Sequence, residues 1–382
     1  MTSERPDTPP IPAAPSTAWD VPVKSRRRRV VNRVLGTVTA IVLVAAIAGV
    51  FIRLPYVIIS PGSATPVNRV VKVSGAPTYS HRGSLLFLTV SVTNGRPNVY
   101  RTLVGWLSSD QDVQPEKNEL GCLSRAENDK QNVMLMTDSQ QVAKTVALSR
   151  LGYHVGAQST GVMVFDVAPG TPACGKLLVG DHILSVDGAP VAKAADIGPL
   201  VRAHPPGRPV TFTVLRDNVR REVTVVTTKA PSSPYKGMAL VGITPSDEVN
   251  YSFPQTLKVS IDAGPVTGPS AGLAFTLTLL DELTPGGLTG GRNVAVTGAI
   301  ALDGSVGDVG GVAQKAVTAR HAGAKLFIVP VGEETVARAH AGSMKVVAVR
   351  TLDDALRALH DAGGASLPPP PSTTTLPSVA VP

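Results

Sequence analysis

Apolar residues along this chain change period several times, and each change marks a different kind of element. Residues 34–52 carry no charge, and an apolar run of about 18 or more is long enough to cross the hydrocarbon core as a helix. Residues 70–73 and 85–92 read as strands. From Met136 the spacing turns helical: Thr137 and Gln140 resemble a capping box, and Val142, Val146 and Leu148 make a buried stripe. Residues 161–229 return to period two. Strands are expected at 162–165 and 180–187, the second ending in Asp187-Gly188, with a hairpin of 210–214 and 223–225 around Asp217-Asn218. Between them, 194–203 is a short amphipathic segment, in which Gly198 and Pro199 weaken a helix. From about Pro234 the pattern mixes both periods, with strands at 238–243, 257–261, 294–300 and 326–329. Leu273, Leu277, Leu280 and Leu283 recur at helical spacing, a second helix is expected from about 311 to 321, and Thr351 caps a last one. The pattern predicts an α+β multidomain chain behind an N-terminal transmembrane helix.

Charge sharpens this picture. The 382 residues carry a net charge of +8, and the length suits two or three domains of about 100–200 residues. Lys24, Arg26, Arg27, Arg28, Arg29 and Arg33 concentrate much of that charge immediately before the apolar run. A nucleic-acid partner is therefore not expected; the cluster reads as the cytoplasmic flank of a membrane span. The expectation is a single-pass anchor in the cell membrane, N-terminus cytoplasmic and everything after Arg53 outside. A cleaved signal peptide, with small residues near Ala48 and Gly49, is the alternative, but its apolar region would be only about 7–15 residues long. The expected organisation is a tail with the basic cluster (1–30), the span (31–55), an extracytoplasmic α/β segment (56–155), a β-rich domain (156–231), a mixed α/β domain (233–362) and a Pro-rich tail (363–382), both tails disordered. Cys122 and Cys174 are the two cysteines. They form either a disulfide in an oxidising compartment or two free thiols. Neither has the spacing of a metal site.

The chemistry concentrates at Gly268-Pro269-Ser270-Ala271-Gly272 and Lys315. A serine hydroxyl is a weak nucleophile until a neighbour takes its proton. Ser270 falls at a helix start, where N–H groups and the dipole favour a developing oxyanion, and Gly268 and Ala271 leave room for a peptide. Lys315 sits among Val312, Ala313, Ala316 and Val317. As a base it must be neutral, and lowering its pKa from about 10.4 by about three units takes roughly 4 kcal/mol, which desolvation can supply. Thr297 lies between the two and is suited to orient the amine. These residues read as a Ser–Lys peptidase dyad. Gly268-x-Ser270-x-Gly272 also fits a nucleophile elbow with His321, His340 or His360 as base, but Pro265 and Pro269 break the incoming strand that an elbow requires.

Two family resemblances follow. Leu178-Val179-Gly180-Asp181-His182-Ile183-Leu184-Ser185-Val186-Asp187-Gly188 resembles the PDZ domains of bacterial proteases. This implies capture of an extended peptide by strand addition, here along Gly161, Val162, Met163 and Val164 and facing Ile197, Leu200 and Val201. The segments around Ser270, Thr297-Gly298 and Gly310-Gly311 through Lys315 to Ala322-Gly323 resemble the proteolytic domain of Lon proteases over about 235–361. That resemblance implies Ser270 as nucleophile, Lys315 as general base and Thr297 as support, a polypeptide substrate, no cofactor and homo-oligomerisation. Thr267 and Ala299 stand where this family often has acids. Gly170 to Lys176 mimics a phosphate loop, but Leu177 replaces the metal-holding hydroxyl, so neither nucleotide nor ATP dependence is expected. The rival class is a noncatalytic, membrane-tethered PDZ adaptor.

Overall fold

In a computed structural model of the protein, residues 26–232 and 234–367 are described, 26–29 by their backbone alone. The basic side chains at 24–29 and most of both expected tails lie outside the described residues. The chain divides after Ile52 into two compact units.

The first unit is helix α1, Arg26–Phe51. Its stretch Val30–Phe51 has 22 residues and a mean hydropathy of 2.5. At about 1.5 Å per residue it spans some 33 Å, enough for a hydrocarbon core about 30 Å thick.

The second unit begins with β1 (Tyr56–Pro66), β2 (Val71–Ser74), β3 (Ser84–Val92), α2 (Val99–Leu107), β4 (Asp112–Pro115), α3 (Glu116–Leu120) and the long α4 (Arg125–Arg150). It continues through β5 (Gly156–Val167), β6 (His182–Val186), β7 (Ala189–Pro190), α5 (Ala194–Arg202), β8 (Pro209–Arg216), β9 (Val219–Val226), β10 (Thr228–Lys229), β11 (Ala239–Leu240), β12 (Ile243–Ser252) and β13 (Lys258–Ile261). Last come α6 (Gly272–Leu283), β14 (Asn293–Val296), β15 (Ala299–Ile300), β16 (Val306–Gly307), α7 (Val312–His321), β17 (Leu326–Pro330), α8 (Glu334–His340), β18 (Lys345–Val349) and α9 (Leu352–Asp361).

The larger sheet runs β18-β17-β14-β3-β1-β4. β14 pairs in parallel with both β3 and β17, while β1 is antiparallel to β3 and β4. Alternate residues face opposite sides of such a sheet. Leu85, Phe87, Val294, Val296, Leu326 and Ile328 pack with the Leu273–Phe275–Leu280 face of α6 and with Val142 and Val146 of α4. Leu86, Leu88, Ala295, Phe327 and Val329 meet Val312, Ala316 and Ala319 of α7 on the other side. Both faces are covered, so these strands are nearly continuous apolar runs.

The second sheet runs β12-β5-β6-β8-β9, with β7 on β6. Val162, Val164, Ile183, Phe212 and Val214 form its core with Ile197 and Val201 of α5. Asp217 (φ 50°) and Asn218 (φ 60°) make the tight turn between β8 and β9, the residue types that tolerate positive φ in a two-residue hairpin. Asp181 is buried and holds Arg216 through two bonds, Nε to Oδ1 at 2.6 Å and Nη2 to Oδ2 at 2.7 Å. Its Oδ2 also accepts from the Leu178 N–H at 2.9 Å. The Gly-Asp of the motif is thus a structural lock.

Three expectations need correction. The expected segment 56–155 does not stand apart from 233–362: its strands β1, β3 and β4 continue the sheet to which β14 and β17 belong, and the β5–β12 sheet is an insertion within that chain path. The long helix starts at Ser124, not near Thr137. Ser124 accepts from Glu127 N–H while Glu127 accepts from Ser124 N–H, and Thr137 merely donates to Val133 O inside the helix. Its polar first half carries no apolar period to betray it. Finally, the strand expected at 294–300 breaks at Thr297-Gly298 into β14 and β15.

Candidate active site

Ser270 stands in the turn between β13 and α6, two residues before the helix begins. Gly268, at φ 90°, supplies the left-handed backbone that the turn needs. Helix α4 holds this turn from outside. The Gly268 N–H donates to Asn132 O at 2.9 Å, and Ser139 Oγ donates to Pro269 O at 3.0 Å. A Cβ on Gly272 would lie 2.6 Å from Ser139 Oγ, so only glycine lets α4 and α6 approach this closely.

Thr297-Gly298, where β14 ends, is tied to the same turn. Gly298 N–H donates to Ser270 O at 3.0 Å, and Leu273 N–H donates to Gly298 O at 3.1 Å. Thr297 Oγ1 donates to Ser270 O at 3.3 Å and accepts from Lys315 Nζ at 3.2 Å. Lys315 comes from α7, which opens on Gly311 in the left-handed conformation, with Val90 filling the space a Cβ would need. Lys315 is only 2% exposed. Burial pushes its amine down from an ordinary 10.5 to about 8, opposed by the negative charge of Glu333. Burial in turn raises Glu333, as does Asp308, while Lys315 lowers it.

The structure therefore joins Lys315 to the Ser270 carbonyl through Thr297, whose hydroxyl bonds both. Among the described residues the Ser270 hydroxyl has no hydrogen-bond partner, so serine and lysine are linked here through Thr297 and not directly. The Gly272 and Leu273 N–H groups are spent on Pro269 O and Gly298 O, whereas among the described residues those of Ser270 and Ala271 reach no acceptor. The donors open to an oxyanion thus lie in the turn, one step before the helix. A cavity of about 1240 Å³ meets the site at Pro269 and Ala299–Leu302, with Met163, Phe165, Asp138 and Lys144 among its walls. Asp138 Oδ1 accepts from the Tyr251 hydroxyl at 3.0 Å, and burial raises the Asp138 pKa against that bond; burial lowers Lys144.

The expected peptide groove is not open. β12 pairs antiparallel with β5 along its length, placing Glu248, Asp247, Ser246 and Pro245 opposite Gly161, Val162, Met163 and Val164. Asp247 Oδ1 accepts from Ala194 N–H at 2.6 Å, and Glu248 pairs with His182 at 2.8 Å. Leu200 packs against the core of this sheet. The chain's own strand occupies the edge that strand addition requires, which corrects the assignment of Gly161, Val162, Met163, Val164 and Leu200 to substrate. Sequence 243–252 is polar and weakly alternating, so nothing in it announced a ten-residue strand. Asn132, Ser139 and Glu333 were also missed; Ser139 lies 130 residues from its partner, and no local pattern signals such a contact. Cys122 and Cys174 are free thiols, and burial, with Cys174 beside it, pushes Cys122 up to about 12.

Comparison with known proteins agrees with this architecture. Residues 247–361 match the family described as the Lon protease (S16) C-terminal proteolytic domain, and 149–227 match the PDZ domain. Lon protease 2 of Bacillus subtilis is 30% identical over 117 residues, covering 30% of this chain and 20% of that protein. Lon protease of Chloroflexus aurantiacus is 30% identical over 169 residues, 43% of this chain and 18% of its own length. The chain thus spans a fifth or less of these relatives. Among solved structures, the PDZ domain of an SdrC-like protein from Listeria innocua is 25% identical, with a TM-score of 0.20, and covers 22% of this chain and 90% of that one. The two family matches make residues 247–361 a Lon-type serine peptidase domain and residues 149–227 a PDZ domain, carried together on one chain.

Proposed function

We propose that the protein is a membrane-anchored serine endopeptidase whose catalytic unit faces outward and acts on extended polypeptides. The observation that carries this reading is the buried Lys315 amine, held by Thr297 beside the Ser270 turn and depressed toward neutrality. Substrate enters by the cavity that ends at Pro269 and Ala299–Leu302. As Ser270 Oγ attacks the scissile carbonyl carbon, Lys315 Nζ takes its proton; this requires the two atoms to come within about 3 Å. The oxyanion is received by the N–H groups of Ser270 and Ala271. The C–N bond then breaks, Lys315 returns the proton to the leaving amine, and a water deprotonated by Lys315 hydrolyses the Ser270 ester. Thr297 is a positioning residue that keeps the amine aimed.

The adaptor reading needs an open strand edge on the PDZ unit, and β12 lies along that edge. The PDZ unit's contribution is instead to the cavity, through Met163 and Phe165 of β5 and through β12. The test is cleavage of fluorescently labelled casein, without nucleotide, by the full chain in detergent. Activity in the parent and none in Ser270→Ala or Lys315→Ala is the expected result. Equal turnover in all three would remove the dyad from the mechanism.

A further inference from the structure

Helix α2 is built inside out. Its buried residues are Thr102 and Gly105, the small ones. Gly105 sits so close to the sheet that a Cβ would lie 2.6 Å from Val113 Cγ2 and 3.5 Å from Ile58 Cγ2. The large apolar residues are left open: Leu103 is 48% exposed, Val104 61% and Leu107 80%, with Tyr100 also exposed, and Trp106, whose ring meets Tyr56 edge-on at 5.5 Å, is still 56% exposed. A surface helix normally turns such residues inward, and a contiguous apolar patch marks a surface made for something other than water.

The chain path says what that is. Leu54 N–H donates to Pro97 O at 2.9 Å, and Arg53 forms a β-bridge with Asn98. Asn98 is the N-cap of α2 and accepts from Arg101 N–H at 2.9 Å. The first turn of α2 is therefore fastened to Arg53, two residues after the last residue of α1. Two residues reach at most about 7 Å, and each headgroup layer is about 5–8 Å deep. A chain that leaves the bilayer at the end of α1 therefore keeps this turn within the headgroup layer or at its outer edge. Trp106 and Tyr100 are the residue types that settle at a membrane interface, and the exposed Arg53 and Arg101 suit anionic headgroups.

We infer that α2 is a second, interfacial membrane contact, its Leu103–Val104–Trp106–Leu107 face lying in the headgroup and upper acyl region of the bilayer that α1 spans. The inference rests on the membrane-anchor reading of α1. With two attachments, one spanning and one lying flat, the unit beginning at Arg53 is held at a set height and orientation over the lipid surface.

The test uses the full chain carrying Trp19→Phe, which leaves Trp106 as its one tryptophan. It is reconstituted into phosphatidylcholine/phosphatidylglycerol vesicles with ordinary or brominated acyl chains. Expected is a blue-shifted Trp106 emission that loses most of its intensity in the brominated vesicles and resists aqueous iodide. Leu103→Glu/Leu107→Glu, both at exposed positions, should abolish that quenching while the protein stays in the membrane on alkaline carbonate extraction. Retention on extraction with an unquenched, iodide-accessible Trp106 overturns the inference alone. Retention with Trp106 shielded from both quenchers, and dimers on cross-linking, overturns it in favour of a second copy of the chain. Release by carbonate removes the anchor reading and the inference together.

Discussion

Lys315 carries a cost in stability that its chemistry explains. In the unfolded chain its amine titrates near 10.5 and in the folded protein at about 8. Below pH 8 both states are protonated, and keeping the cation buried costs ~3 kcal/mol. As pH rises from about 8 to 10.5 only the unfolded state still holds the proton, and the cost disappears. Lys315→Met should therefore raise the unfolding free energy at pH 7 by about 2 kcal/mol, after allowing for the lost bond to Thr297, with the gain vanishing near pH 10. Urea denaturation at the two pH values checks this; a destabilised variant at pH 7 would show the amine is not under strain. In the proposed mechanism the same titration sets the rate. Peptidase activity should climb about tenfold per pH unit up to about 8 and level off above it. Because Glu333 favours the ammonium, Glu333→Gln should move the midpoint of the pH–rate profile to lower pH, and an unmoved midpoint would disconnect the two groups.

Between elements, the decisive relation is the grip of α4 on the Ser270 turn. α4 lies almost wholly before the residues matched to either family, yet Asn132 and Ser139 receive or supply the bonds that set Gly268 and Pro269. Ser139→Ala leaves the Pro269 carbonyl without its side-chain donor, a loss of about 1 kcal/mol. Ser139 touches neither Lys315 nor the open N–H groups, so its removal should lower kcat several-fold with KM held, and leave the pH–rate midpoint in place. An unchanged kcat would make the contact merely structural. Its partner in rigidity is Gly298, whose position between β14 and β15 allows both backbone bonds to the Ser270 turn.

For the whole molecule, sheet order dictates what can fold alone. β3 is hydrogen-bonded on one side to β14 and on the other to β1, and Phe87 of β3 packs on Phe275 with ring centroids 5.8 Å apart. A fragment of 234–367 keeps the dyad but loses this strand, leaving β14 with an open edge and α6 with an uncovered face. Such an edge aggregates. Residues 53–367 should melt cooperatively by circular dichroism, whereas 234–367 should show no cooperative transition; a two-state melt of the shorter fragment would mean β3 is dispensable.

Much of this was written locally. The long apolar helix α1, the period-two strands, the Asp217-Asn218 turn, the Thr351 cap and the placing of Ser270 before one helix and Lys315 within another depend on neighbours a few positions away, and a linear reading recovers them. The family resemblance likewise needed only short segments in order. What depended on tertiary structure is whatever joins residues distant in sequence. Proximity of Glu333 to Lys315, the depth at which that amine is buried, the clamp of α4 and the direct serine–lysine bond that is not made here are all consequences of packing. So is the closure of the PDZ edge: β12 has too little apolar alternation to declare itself, and it becomes a strand because β5 offers it a row of unpaired backbone groups. Backbone hydrogen bonds and desolvation act across space without leaving a period in the sequence, which is why Ser270 and Lys315 were legible as candidates and their surroundings were decided by the fold.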